Sequence, residues 1–464
     1  MSLVADSPLH SSSSSGGDDF AASLETLLDS ASCENSPDDD HADLDEEEEE
    51  DSLERRIKRR RVEVTQVLEK QESMIIERTQ ENIGSSSKPA SDDICPPHPG
   101  SYKGLCTRCG QLVEDDTSRV KLGYVHEDFT LSSSEIEKLR KSNLKDLLRD
   151  KKLILILDLD HTLLNSAELR EVSAKVPYLL ELADSTKDDP NRSIFKLDRI
   201  SMLTKLRPFV HTFLQEVSSM FELYVYTMAE KAYAHEVVKL LDPEGVYFDS
   251  KVISQGDCTV PLQKGLDVVL GDERLVLILD DTEAVWTRHA ENLITMERYY
   301  FFPQRGSNAK SLSESGEDER ESEGALATIL KVLKRAHQMF FDQDHDAKFS
   351  SKDVRQVLKM IRREILQGCK IVFSRVMKLD TNASDHPTWK MAQKLGAVCS
   401  NDLDSSVTHV VSLDKGTHKS HWARQNRRFL VHPRWVEAAY YLWRRPKEDG
   451  ELFQVEDTVN NIQK

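Results

Sequence analysis

The sequence predicts an α/β protein: a parallel sheet covered by helices over about residues 144–305, a smaller α/β module at about 366–455, and a disordered acidic N-terminus. Three observations carry this expectation. Two unbroken aliphatic runs, LILIL at 153–157 and LVLIL at 275–279, each end in carboxylates. Runs of that kind are strands buried on both faces, as in parallel sheets. Between them, amphipathic stretches alternate with strand-like ones, the order of a strand–helix–strand fold. Charge is also unevenly placed: residues 1–52 hold 17 acidic residues and no Lys or Arg, so they carry most of the formal net charge of −19. A segment so poor in apolar surface cannot offset the chain entropy of folding.

Taken in order, the elements read as follows. Residues 1–90 form an acidic then basic tail. Its cluster Arg55, Arg56, Lys58, Arg59, Arg60 and Arg61 reads as a nuclear-import signal, or as a patch that balances the acidic run. A helix is expected at 62–82. Residues 91–143 are a Cys/His segment and linker. Cys95 and His98 form a C-x2-H pair, and Cys106 and Cys109 a C-x2-C pair seven residues later. Four soft ligands suit a tetrahedral Zn²⁺ site, although the gap between the pairs is short. The alternative is a Pro/Gly-rich linker with incidental thiols. The chain has 7 irregularly spaced cysteines and opens on MSLVADSPLHSSSSS, so neither a disulfide framework nor a secretion signal is expected. No run approaches the ~18 apolar residues of a membrane span.

Within the main domain, RPFVHTFLQEVSSM reads as a helix with Pro near its start, FELYVYT as a strand and EKAYAHEVVKLL as a helix. Residues 306–365 read as a linker, including the polar stretch SLSESGEDERESEG, followed by two helices. Residues 456–464 are a short tail.

Ligands in open parallel sheets gather at the carboxyl ends of the strands. Asp158 and Asp160 end the first strand, Thr227 ends FELYVYT, Lys264 precedes the fourth element, and Asp280 and Asp281 end the last aliphatic run. Carboxylates so crowded need a cation, and hard oxygen donors suit Mg²⁺. Asp158 can then attack phosphorus, giving an aspartyl phosphate. The Asp160 side chain can protonate the leaving oxygen and later activate water, and its backbone carbonyl can face the metal. Thr227 and Lys264 can hold the phosphoryl oxygens.

This motif set resembles the haloacid-dehalogenase (HAD) phosphotransferases. DLDHTLLN, TKLRPFV, YVYTMAEKAYA and LILDDTEAVW narrow the resemblance to the FCP/SCP-type phosphatases, which act on the RNA polymerase II C-terminal domain. It implies a HAD-like Rossmannoid sheet without a large cap. It makes Asp158 the nucleophile and Asp160 the general acid/base. Asp158, Asp160 and Asp281 bind Mg²⁺ in that family pattern, with Asp280 beside them. Thr227, Lys264 and Arg207 hold phosphate there; for Arg207 the alternative is a surface residue at a helix start. Thr227 and Lys264 are only 37 positions apart, too close for a large cap. The site should therefore be open and suit a protein substrate.

The last domain, ILQGCKIVFSRV through VHPRWVEAAYYLW, resembles a BRCT module. Trp435 reads as core. Ser374 with Lys419 is a candidate phosphopeptide site; the alternative is a surface serine. Acidic N-terminus, basic cluster, HAD domain and BRCT module together most resemble the plant C-terminal-domain phosphatase-like proteins. The resemblance implies a nuclear, Mg²⁺-dependent protein-serine phosphatase regulating transcription. Its partners would be the polymerase C-terminal domain and transcription factors docked through BRCT, with no direct nucleic acid and no membrane. The alternatives are a phosphoprotein-binding transcription adaptor with an idle phosphatase fold, and a small-molecule HAD phosphatase.

Overall fold

The computed structural model describes residues 95, 98–113, 119–304, 310–342, 352–377 and 382–456. The acidic run, the basic cluster, the helix expected at 62–82 and residues 457–464 lie outside them.

The Cys/His segment is more than a linker. It folds into four short strands, β1 (Gly100–Tyr102), β2 (Leu105–Cys106), β3 (Arg119–Lys121) and β4 (Phe129–Ser132), antiparallel in the order β2-β1-β4-β3. Strands of two to four residues are too short to show a period in sequence. Helix α1 (Ser133–Arg149) follows, its first turn capped by the Ser132 hydroxyl, which accepts the Glu135 N–H at 3.3 Å.

β5 (Leu153–Leu157) is the LILIL run, and all five residues are buried. An insertion comes next: β6 (Leu164–Glu168), α2 (Leu169–Lys175), α3 (Tyr178–Ser185), β7 (Ile194–Leu197) and β8 (Met202–Leu206). Its strands form an antiparallel sheet, β6-β8-β7. The chain then returns through α4 (Val210–Ser218), β9 (Phe221–Tyr226), α5 (Lys231–Leu241), β10 (Val252–Ile253), β11 (Val276–Asp280) and β12 (Leu293–Thr295). The central sheet is wholly parallel in the order β10-β9-β5-β11-β12. β5 lies in its middle, which explains why it tolerates no polar residue.

The described parts of the 306–365 segment, 310–342 and 352–365, carry the two expected helices and pack them against the main domain. After α6 (Leu312–Ser315), helices α7 (Ala325–Asp342) and α8 (Val354–Glu364) bury Leu326, Ile329, Leu333, Leu358 and Ile361 in the same apolar core as β5 and β11.

The C-terminal module has β13 (Lys370–Ser374), α9 (Pro387–Lys394), β14 (Val398–Ser400), β15 (His409–Ser412), α10 (His418–Gln425), β16 (Phe429–Val431) and α11 (Arg434–Leu442). Its parallel sheet runs β14-β13-β15-β16. Trp435 is fully buried and donates its indole N–H to the Pro446 carbonyl at 3.0 Å. Gly396, with φ +92°, is obligatory: a Cβ there would lie 1.9 Å from the Arg363 carbonyl oxygen. No helix among the described residues is long and apolar enough to cross a membrane.

Candidate active site

Strand register brings the acidic ends together. β11 pairs with β5 through Leu279 and Leu157, and the Asp158 N–H donates to the Leu279 carbonyl at 3.0 Å. Asp158 therefore still follows the strand, beside Asp280. After it the chain curls: Thr162 and Leu163 both donate to the Leu159 carbonyl, at 3.2 and 2.9 Å, and His161 takes a positive φ of 61°.

Lys264 lies between the two strand ends. Its Nζ is 2.6 Å from Asp158 Oδ1 and 2.6 Å from Asp280 Oδ2. The Trp286 indole N–H donates to the same Asp280 oxygen at 2.8 Å, and the Thr282 backbone N–H reaches Oδ1 at 2.7 Å. Asp281 faces Arg298 at 2.6 Å and accepts the Thr282 hydroxyl at 3.0 Å. One oxygen from each of Asp158, Asp280 and Asp281 lies within 4.8 Å of the others.

Burial pushes Asp158 well above the ordinary carboxylate range, with Lys264 opposing, and it raises Asp280 in the same way. Burial also works to lower the Lys264 ammonium, but Asp158 and Asp280 outweigh it and hold it above its usual value. Three carboxylates face two cations, Lys264 and Arg298, so one negative charge is left in excess. A hard divalent cation fits that excess and that all-oxygen donor set. Thr227 sits two residues beyond Val225, the register partner of Leu157, and is 2% exposed. Its hydroxyl oxygen accepts the Ala229 N–H at 3.0 Å.

A family model described as NLI interacting factor-like phosphatase matches residues 153–323, and one for the BRCA1 C Terminus (BRCT) domain matches residues 362–439. The chain is 47% identical to RNA polymerase II C-terminal domain phosphatase-like 4 of Arabidopsis thaliana, over 98% of each chain. The chain belongs to this phosphatase family. It is also 41% identical to phosphatase-like 3 of the same plant, over 69% of this chain and 26% of that longer one. The structure of a variant of Fcp1, the fission yeast RNA polymerase II CTD phosphatase, bound to beryllium fluoride covers 67% of this chain and 98% of its own, at 26% identity and a TM-score of 0.53.

One expectation of the site needs correction in this phosphatase. Arg207 does not face the cluster. It is buried, pairs with Glu319 at 2.6 Å, and donates to the Thr162 and Glu297 carbonyls at 3.0 Å and to the His161 carbonyl at 3.3 Å. It braces the turn that carries Asp160 and is neither a phosphate contact nor a surface residue. Arg207→Ala breaks the ion pair with Glu319 and leaves the Thr162 and Glu297 carbonyls unanswered. It should cost about 3–5 kcal/mol in denaturant unfolding, and Arg207→Lys, lacking the planar fork, should not restore it. The Asp160 carboxylate stands outside the group of Asp158, Asp280 and Asp281, which leaves its backbone carbonyl as the atom expected to face a metal; its Oδ1 accepts the Tyr233 hydroxyl at 2.5 Å.

Sequence reasoning also missed residues. Trp286 was visible only as a motif marker, and Arg298 and Tyr233 carried no pattern of their own. Glu283, three residues past Asp280, is held from the BRCT module by Lys394 at 2.6 Å and by the Tyr440 hydroxyl at 3.2 Å.

The four Cys/His ligands do converge. Ligand atoms of Cys95, His98, Cys106 and Cys109 lie within 4.8 Å of one another. The short gap between the pairs is itself the solution. Ser101 pairs with Cys106 and Tyr102 with Leu105 across a two-residue turn, Lys103 at φ +50° and Gly104 at φ +77°. Two positive φ values in succession make a tight hairpin, which folds one pair back onto the other. The Arg108 N–H donates to Cys106 Sγ at 3.4 Å. Burial opposes ionisation of Cys106, yet the Cys109 and Arg108 backbone N–H groups bring its thiol down to about 6.

In the BRCT module, Ser374 donates to the Thr417 hydroxyl at 2.8 Å. Lys419 stands beside them, donating to the Phe373 carbonyl at 3.0 Å and the Asn401 carbonyl at 2.9 Å. Thr417 is a third polar group at that corner that the sequence did not single out.

Proposed function

We propose that this phosphatase removes phosphate from serines in the heptad repeats of the RNA polymerase II C-terminal domain, through a phosphorylated Asp158. The observation that carries the reading is the buried Asp158–Lys264–Asp280 group at the carboxyl end of the central sheet, in a chain similar over nearly its whole length to a protein named for that activity.

Asp158, Asp280 and Asp281 would hold Mg²⁺, whose charge would draw on the phosphoryl oxygens. Lys264 opposes the effect of burial on Asp158, favouring its ionised form, and aligns it for attack on phosphorus. As the Asp158–phosphorus bond forms and the serine oxygen departs, Asp160 delivers the proton that oxygen needs. Asp160 then takes a proton from the water that hydrolyses the acyl phosphate. Lys264 and the Thr227 hydroxyl stabilise the charge gathered on the phosphoryl oxygens. No domain fills the interval between Thr227 and Lys264, which suits a chain laid across the site.

The BRCT module would dock transcription factors or phosphorylated partners at Ser374, Thr417 and Lys419. The basic cluster at 55–61 supports nuclear residence, and neither direct nucleic-acid binding nor a membrane role is part of the reading. The Cys/His module would hold one Zn²⁺, an S₃N donor set of a structural type. Purified protein should carry one zinc per chain by elemental analysis, and Cys106→Ser should lose it together with thermal stability. A zinc-free wild type of equal stability would remove this assignment. Function is tested by phosphate release from singly phosphorylated heptad peptides with and without Mg²⁺. Metal-dependent release from a phosphoserine peptide supports the reading, and faster turnover of sugar phosphates than of peptides overturns it.

A further inference from the structure

The Asp160 carboxylate stands outside the Asp158–Asp280–Asp281 group, and a hydrogen bond fixes its orientation. The Tyr233 hydroxyl is 2.5 Å from Asp160 Oδ1 and 2.7 Å from Ser166 Oγ. Ser166 Oγ is in turn 2.9 Å from Thr204 Oγ1. Ser166 and Thr204 are cross-strand partners on β6 and β8, and Thr204 is fully buried. A phenol carries one proton, and an ionised carboxylate only accepts. The phenolic O–H points at both acceptors, with the shorter contact to Asp160 and the longer to Ser166, and the Ser166 and Thr204 hydroxyls bond each other. The three hydroxyls form one hydrogen-bonded line that links the insertion sheet to Asp160 through the phenol oxygen.

We propose that Tyr233 is the positioning residue of Asp160, and that Ser166 and Thr204 anchor it to the insertion sheet. This rests on the reading above that Asp160 is the proton donor to the leaving serine. The Tyr233 bond occupies Oδ1 and fixes the carboxyl plane, which leaves Oδ2 as the oxygen that exchanges a proton with the leaving group. Ser166 and Thr204 hold the phenol at its oxygen, so α5 and the insertion sheet set the position together. A seryl oxygen is a poor leaving group and needs that proton at the moment of bond breaking, whereas a nitrophenolate departs without it. Misplacement of Asp160 therefore penalises the two substrate types unequally.

The test compares kcat/KM for a phosphoserine heptad peptide and for p-nitrophenyl phosphate in the full-length protein. Tyr233→Phe should lower the peptide value by about tenfold to a hundredfold, and the aryl phosphate value at least about tenfold less than that. Ser166→Ala, which keeps the phenol but loosens it, should shift the same ratio in the same direction by a smaller factor. Equal losses on both substrates would mark a merely structural tyrosine and overturn the proposal, as would an unaffected peptide rate. Should Tyr233→Phe fail to fold, the Ser166→Ala ratio decides alone. Asp160→Asn separates the two claims: full peptide activity in that variant would refute the acid/base reading itself, whatever Tyr233 does.

Discussion

Asp158→Asn should abolish turnover of a phosphoserine peptide, by at least about 10⁴-fold, while leaving the fold intact. The substitution keeps the shape of the side chain and its place in register beside Asp280. It removes the charge and the nucleophilic oxygen together, since a neutral amide does not attack a phosphoryl group at useful rate. Lys264 keeps its second partner, Asp280 at 2.6 Å, so no buried cation is stranded. A melting temperature near that of wild type with no phosphate release is the expected pair of results. Activity within tenfold of wild type would place the nucleophile elsewhere.

Lys264→Ala should have the second largest effect, and on stability as well as activity. Its ammonium is the one cation in contact with both Asp158 and Asp280 among the described residues, and all three side chains are almost wholly buried. Removing it leaves two buried carboxylates facing each other, a loss of about 3–5 kcal/mol near neutral pH. The sign with pH follows from linkage. Both carboxyl groups already sit above their ordinary range, through burial, and losing Lys264 raises them further. A group whose folded pKa is raised contributes stability that is fully present below its unfolded value, about 4 for Asp, and is lost as pH rises through the folded value. The gap between variant and wild type should therefore be small in mild acid and widen toward neutrality. Denaturant unfolding at several pH values checks this, and a gap independent of pH would show that the lysine does not serve the two aspartates. Lys264→Arg should regain part of the stability but little activity, because a planar fork cannot sit between two oxygens in the manner of a compact ammonium.

Much of the site was legible because strand ends speak plainly. An aliphatic run closing on DLD or on DD leaves those carboxylates one place to go, the tip of a buried strand. Thr227 and Lys264 followed from chain order. What stayed hidden was every partner set by long-range packing. Arg207 was placed against phosphate by the family resemblance of TKLRPFV; its partner, Glu319, lies 112 residues away. That glutamate sits in SLSESGEDERESEG, whose composition is that of a solvated linker. Yet Asp318 pairs with the buried Lys205 at 2.7 Å, as Glu319 does with Arg207. Two buried cations convert two ordinary acidic residues into structural ones, and no local pattern marks which two. Tyr233 illustrates the same limit. It occupies an ordinary place in an amphipathic helix, and only the fold shows that its hydroxyl ends on Asp160. The Cys/His pairs are the opposite case: their short spacing counted against a tetrahedral site, and the Lys103–Gly104 hairpin is what brings the four side chains together.

The decisive measurement is to quench the protein during turnover of a phosphoserine peptide labelled on phosphorus, trap the phosphoenzyme, and map the modified residue. Borohydride reduction of an acyl phosphate converts the aspartate to homoserine, which mass spectrometry locates. Label and homoserine at residue 158, both absent from Asp158→Asn, is the predicted result. Label at Asp160, at Asp280 or on a hydroxyl residue, or turnover with no trapped intermediate under any quench, would contradict it.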